Sequence, residues 1–297
     1  MSLEIRPVTP QIGAEIHGID LAKPLAREVA LALRDALHAH LVLFFREQRI
    51  SEADHIAFAR QFGEIQVPPL KTKYHDSPEI NVLDLASPRG DGADNWHADH
   101  TYTKRPALGS ILRAVKVPRV GGDTLFASMY AAYDALSSPM KQLLAGLTAE
   151  HDITRSASRG IRAGHVTQTL AEIQAKLPPV THPVIRTHPV TGRKLVFVNS
   201  NSTTRIRELP ELESEAVLRF LFEHVRTPEF QVRFKWDETS VAFLDNRCAQ
   251  HYAVADYDER RILHRVTIAG ATPAGKLATL IGLVLVLGTA LAYRERS

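Results

Sequence analysis

The chain has 297 residues, 44% hydrophobic and 23% charged, which suits a globular enzyme with one large core, or at most two domains. Its net charge is only +3, with Lys and Arg spread along the chain, so no nucleic-acid partner is expected: such domains gather basic residues on one face. A single cysteine, Cys248, excludes an internal disulfide, and the start Met-Ser-Leu-Glu-Ile-Arg has no apolar signal core; both fit a cytoplasmic protein.

Residues 5 to 21 read as short strands and turns, with Ile12, Ala14 and Ile16 alternating and Gly13 and Gly18 as punctuation. From Arg27 to His40, Val29, Ala30, Leu33, Ala36 and Leu37 keep helical spacing. The run Leu41-Val42-Leu43-Phe44-Phe45 is a buried strand. Ser51, with Asp54 three residues on, starts a second helix that runs to about Phe62 and stops at Gly63. Gln66 to Asp91 is loop-rich, with one strand at Ile80 to Leu83. A strand follows Pro106, and Gly121-Gly122-Asp123-Thr124 is a tight turn feeding another.

The apolar spacing predicts one helix from Ala131 to Leu147. Arg155 to Gln174 is polar and Gly-punctuated, and reads either as a lid or as an ordinary surface insertion. Residues 184–188 and 194–198 flank a Gly-containing turn and form a hairpin. Glu211 to Val225 is an amphipathic helix. Phe230 to Trp236, Ser240 to Leu244 and Arg261 to Ala269 are strands. Many short strands with few long helices predict a mainly β fold with flanking helices, a sandwich or jelly roll. With no internal repeat and no low-complexity linker, residues 1–272 form one domain. Residues 273–297 form an apolar tail, and its stretch 277–293 reads as a membrane contact, as a segment packed on the body or a subunit, or as a stray extension.

Two stretches carry chemistry. In Asn95-Trp96-His97-Ala98-Asp99-His100-Thr101-Tyr102, an imidazole and a carboxylate stand two positions apart, on one side of an extended strand. A His, a nearby carboxylate and a distant His form the triad that holds non-haem Fe(II) with open positions. The second stretch is Phe243-Leu244-Asp245-Asn246-Arg247-Cys248-Ala249-Gln250-His251-Tyr252, followed by Arg260-Arg261-Ile262-Leu263-His264-Arg265. His251 supplies the distant imidazole. The arginines suit a carboxylate-bearing cosubstrate, because guanidinium binds carboxylate in two places.

The motifs W-H-x-D-x-x-Y, G-G-D-T and D-N-R…Q-H…R-R-I-x-H-R, in that order, resemble the taurine dioxygenase family of Fe(II)- and 2-oxoglutarate-dependent oxygenases, which includes the dichlorophenoxyacetate dioxygenase. The resemblance runs from about Ile5 to Gly270. It implies a double-stranded β-helix, with His97, Asp99 and His251 as the metal ligands. Two open metal positions would take 2-oxoglutarate and the third O2. Thr124 and Arg261 match the residues that hold its far carboxylate. Arg265 matches a second arginine that points into the pocket and meets an anionic substrate, with Tyr102 and His100 at the pocket wall.

The resemblance further implies hydroxylation coupled to release of succinate and CO2. Asp99 fits that outcome, since related halogenases carry a small residue there. The expected substrate is a small organic anion: a sulfonate, a sulfate ester or a carboxylate. An amino acid or secondary metabolite, and a metal-binding β-barrel without turnover, are the alternatives. Taurine itself is disfavoured, because the family's sulfonate-binding histidine falls at Pro68, its pocket tyrosine at Lys71 and a pocket asparagine at Ala93. Arg260 reads as a surface charge, and Cys248 as a small buried filler. Asn246, Gln250 and His264 are candidate hydrogen-bonders behind the metal. His151, His182 and His188 read as structural, and a homo-oligomer is the expected assembly.

Overall fold

Period-two alternation in the central strands decides the architecture. In the computed structural model, which describes residues 2–67, 77–85, 94–162, 164 and 166–270, those strands bury both of their faces. The strands are β1 (Glu4–Pro7), β2 (Ala14–His17), β3 (Val42–Phe45), β4 (Asn81–Leu85), β5 (Gly109–Lys116), β6 (Thr124–Ser128), β7 (Thr148–His151), β8 (Val180–Pro183), β9 (Ile185–Thr187), β10 (Lys194–Val196), β11 (Thr203–Ile206), β12 (Gln231–Phe234), β13 (Val241–Asp245), β14 (Ala249–Ala253) and β15 (Arg261–Ile268). The helices are α1 (Arg27–His40), α2 (Glu52–Arg60), α3 (Met129–Asp134), α4 (Ser138–Leu144), α5 (Thr154–Arg162), α6 (Leu170–Lys176) and α7 (Glu211–His224).

A seven-stranded sheet runs β1-β2-β3-β13-β5-β15-β4, antiparallel except where β2 meets β3. Leu43, Phe45, Ile111, Val241, Phe243, Val266 and Ile268 share one core with Leu33 and Leu37 of α1 and Phe58 of α2. The alternate residues Val42, Phe44, Leu112, Ala242, Leu244 and Leu263 share the other core with a three-stranded sheet, β12-β6-β14. Phe44 stacks on Phe234 across that interface with ring centroids 4.2 Å apart. A fully buried phenylalanine contributes about 1.5–3 kcal/mol. β15 therefore turns its even-numbered side chains to the helices, and Arg261, Leu263 and Arg265 to the space between the sheets.

The fold is mainly β with helices outside. Helix α1 spans the predicted residues. α2 begins at the predicted cap, where Ser51 Oγ accepts from the Asp54 N–H and Asp54 returns a bond to the Ser51 N–H. The hairpin of β9 and β10 and helix α7 also lie where the sequence places them.

One expectation is corrected. The helix predicted from Ala131 to Leu147 is two short helices, α3 and α4. Ser137 caps the second through the Met140 N–H, and Pro139 lies in its first turn, where its missing N–H costs nothing. The polar stretch from Arg155 to Gln174 holds α5 and α6, packed around Ile153, Ala157 and Ile173. Thr169 and Glu172 form a capping box at the start of α6.

Candidate metal centre

One isolated bridge builds the centre. The His97 N–H donates to the His251 carbonyl at 3.1 Å, and the His251 N–H returns to the His97 carbonyl at 2.8 Å. His251 lies on β14, at the edge of the three-stranded sheet, opposite Phe126. The bridge sets the two imidazoles 4.2 Å apart between ring centroids. One ligand atom each from His97, Asp99 and His251 falls within 4.8 Å of the others.

The local backbone differs from the strand expected for His97-Ala98-Asp99. Only His97 is bridged; Asp99 and His100 lie in a turn, and His100 has a left-handed φ of 56°. Asp99 thus reaches the imidazoles through a turn rather than by strand alternation. A non-glycine residue in that conformation is uncommon and is held by its surroundings. The Thr103 N–H and hydroxyl both donate to the His100 carbonyl and hold the turn.

The donor set suits a divalent iron. The Nδ1–H of His97 donates to the Asn95 carbonyl at 2.7 Å, because a carbonyl can only accept. That fixes the tautomer and leaves the Nε2 lone pair 3.9 Å from Asp99 Oδ1. Burial holds both imidazoles neutral, His251 down to about 3. Burial opposes the Asp99 charge, but the Arg265 guanidinium and the neighbouring imidazoles together keep the carboxyl well below the usual range. Two neutral imidazoles and one carboxylate are a set that non-haem iron takes, with positions left over.

A second group lies beside it. Arg261, 2% exposed, donates from Nε to the Gly122 carbonyl at 2.9 Å and from Nη2 to Thr124 Oγ1 at 3.1 Å. Trp236 Nε1–H donates to the same oxygen at 2.9 Å. Both lone pairs of Thr124 are then taken, so the hydroxyl has only its own proton left to offer a ligand. Among the described residues Arg261 forms no ion pair, and burial lowers its pKa. A buried guanidinium held only by neutral partners suits an incoming carboxylate. The paired glycines make this possible. Gly122 has a φ of +73°, and a Cβ there would lie 2.7 Å from Pro118 and 3.2 Å from Arg261 Cδ.

Arg265 lies at the centre itself: its Nη1 donates to Asp99 Oδ1, and among the described residues its buried Nε forms no hydrogen bond. His100 is buried and pushed down to about 4 by burial and by Arg265, and its ring lies 5.7 Å from that of Tyr102. Tyr102 packs against the small core of α5 and α6. Arg260 is exposed and paired with Asp84, as expected. Cys248 is buried and free. His264 faces Glu52 at 3.4 Å, on the α2 side of the sheet and away from the centre.

Gln250 donates to the Val198 carbonyl at 2.7 Å rather than to a ligand. Asn246 alone of the three named hydrogen-bonders touches a ligand residue. Sequence reading missed Trp236, just past β12, and Ser110, on β5, since neither has a motif around it. Pro68, Lys71 and Ala93, and the tail at 277–293, lie outside the described residues. Among the described residues no helix is long and apolar enough to cross a membrane.

A mainly β body carrying a His-Asp-His centre with a buried arginine beside it is the build of a non-haem iron oxygenase that takes a dicarboxylate cosubstrate. The family described as "Taurine catabolism dioxygenase TauD, TfdA family" matches residues 4–267. The chain belongs to that family, and so to the 2-oxoglutarate-dependent non-haem iron dioxygenases. It is 34% identical over 280 residues to an alpha-ketoglutarate-dependent sulfate ester dioxygenase of Pseudomonas putida, covering 93% of this chain and 92% of that one. It is 33% identical over 285 residues to the alpha-ketoglutarate-dependent 2,4-dichlorophenoxyacetate dioxygenase of Cupriavidus pinatubonensis, covering 90% and 98%. The solved structure of AAD-2 in complex with Mn(II) and N-oxalylglycine superposes with a TM-score of 0.79 at 32% identity, covering 93% and 100%.

Proposed function

We propose that this enzyme hydroxylates a small organic anion, a sulfate ester, sulfonate or carboxylate, with 2-oxoglutarate and O2 as cosubstrates. The observation that carries this reading is the buried guanidinium of Arg261, which forms no ion pair among the described residues, beside the three converging side chains. A metal-binding barrel without turnover has no use for such a cation.

His97, Asp99 and His251 would hold Fe(II). When bound, the iron couples the oxidative decarboxylation of 2-oxoglutarate to insertion of one oxygen atom into a substrate C–H, giving succinate, CO2 and alcohol. Arg261 binds the far carboxylate of the cosubstrate, and the Thr124 hydroxyl donates to it. Arg265 places a second cation at the metal and directs the anionic end of the substrate there. His100, neutral in its turn, and Tyr102 close the wall and keep water out. Where the hydroxylated carbon bears oxygen or sulfur, the product collapses to a carbonyl and a leaving anion.

The relatives named for sulfate ester and dichlorophenoxyacetate support an anionic substrate. We further propose that the two facing sheets form a double-stranded β-helix. Residues 1–272 form one catalytic domain, a boundary supported by the family match ending at 267.

The test is a succinate-release screen of small alkyl sulfates, sulfonates and aryloxy-carboxylates with Fe(II) and ascorbate. At least one anion should raise succinate well above the substrate-free rate. No stimulation by any of these anions would remove the anion assignment.

A further inference from the structure

We propose that Ser110 and Asn246 are positioning residues that hold Asp99 as a one-oxygen metal ligand, an inference that rests on the metal-centre reading above. The geometry is a closed ring of three hydrogen bonds. The Asp99 backbone N–H lies 3.2 Å from Asn246 Oδ1, Asn246 Nδ2 lies 2.8 Å from Ser110 Oγ, and Ser110 Oγ lies 2.7 Å from Asp99 Oδ2.

Chemistry fixes every direction in that ring. A backbone N–H can only donate, so the side-chain amide of Asn246 must turn its oxygen to Asp99. Its nitrogen then faces Ser110 and can only donate. Ser110 Oγ is therefore an acceptor from Asn246, and its own proton goes to Asp99 Oδ2. That oxygen is engaged, and Oδ1 is the one that faces His97 Nε2. One lone pair of Oδ1 meets Arg265 Nη1, and the other remains for a metal.

The ring is dry: Ser110 is 0% exposed, Asn246 1% and Asp99 4%. Water therefore does not compete for these bonds, and a half-made ring leaves a buried polar atom unpaired. The fold brings the three residues together from three places. Ser110 is on β5, Asn246 follows β13, and Asp99 lies in the turn after the bridge. Gly109 permits the approach, because a Cβ there would lie 2.7 Å from the Leu244 carbonyl. The Asn246 N–H is anchored on the Leu108 carbonyl at 3.0 Å.

The test titrates the metal-free protein with Mn(II) and Co(II) and records the Co(II) d–d absorption. Ser110→Ala should fold normally yet bind both ions about tenfold or more weakly, the usual scale for partners that orient metal ligands. Its Co(II) spectrum should shift, because Asp99 becomes free to offer both oxygens. Ser110→Thr, which keeps the hydroxyl, should restore affinity and spectrum. Asn246→Ala should weaken binding like Ser110→Ala, and the double variant should be no worse than the weaker single one.

Unchanged affinity and an unchanged spectrum in Ser110→Ala would overturn the positioning role alone. A parent protein that binds neither ion would instead overturn the metal-centre reading. A variant with a lowered Tm but parental affinity and spectrum would show that the ring only stabilises the fold.

Discussion

Two clusters in this molecule gather metal-type side chains within the same 4.8 Å: His97, Asp99 and His251, and His188, Asp245 and Cys248. By residue type the second is the better set for a soft metal. Its hydrogen bonds say otherwise. Arg247 grips both oxygens of Asp245, Nε to Oδ1 at 2.8 Å and Nη2 to Oδ2 at 2.6 Å. His188 Nδ1 accepts from the Val190 and Thr191 N–H groups, so its Nε2 carries the proton and faces Asp245 at 3.3 Å. Burial pushes the Cys248 thiol pKa well up, which keeps it protonated.

Every lone pair of the histidine and carboxylate in that second cluster is spent inside the protein. In the first cluster His97 keeps Nε2 uncommitted, and among the described residues the buried Nδ1 of His251 forms no hydrogen bond. Proximity of ligand types does not make a metal site; unspent lone pairs do. The second cluster instead locks the turn that carries Asn246 into the ring around Asp99.

The largest expected effect breaks the first cluster. Asp99→Ala should reduce substrate-dependent succinate formation to background while circular dichroism and Tm stay close to the parent. Retained turnover would show that the carboxylate is not a ligand.

The matching change in the second cluster should act on stability instead. Asp245→Asn leaves Arg247 as an uncompensated buried charge and should cost about 3–5 kcal/mol in urea unfolding. Metal stoichiometry should be unchanged in the folded fraction. Loss of one bound metal equivalent without loss of stability would erase the contrast between the clusters.

Arg261→Ala should leave metal affinity alone and raise the 2-oxoglutarate requirement by about a hundredfold or more, in line with breaking a buried charge pair. An unchanged requirement would detach Arg261 from the cosubstrate.

The pH axis gives the smallest effect near neutrality. His55 and His151 are each held down to about 3 by burial, below the ordinary 6.5. The unfolded chain then binds more protons below 6.5, so stability should be flat above that pH and fall progressively toward 3. Asp245 is held down to about 2, against burial, by Arg247 and His188. Its contribution is present above 3.8 and lost as pH falls toward 2. In Asp245→Asn the decline between 3.8 and 2 should shrink while that between 6.5 and 3 stays. Urea midpoints across pH would show a single undivided decline if the two sets of groups were not separate.

Much of this was legible in the chain. A continuous apolar run placed β3 and helical spacing placed α1 and α7, because the burial of an element is written locally. The candidate ligands were legible through their order along the chain, and Arg261 and Thr124, the candidates for holding the cosubstrate, through the motifs around them. The helix break at Ser137 and Pro139 was also written locally, but the apolar spacing across it concealed the cap.

The turn at Asp99 was not legible. His97-Ala98-Asp99 has the spacing of a strand, yet a single bridge to His251 and the left-handed His100 decide its path. Ser110 carried no signal, since a serine in a strand is ordinary until a carboxylate stands opposite.

The amino-acid sequence alone thus determined the mainly β build, the family and the three candidate ligands, since each rests on residue types at short spacing or in fixed order. Only the tertiary structure decided which lone pairs are free. It brought residues 97, 99, 110, 246 and 251 into contact from distant strands and turns. The directions of the bonds among them follow from that meeting and from no stretch of the chain by itself.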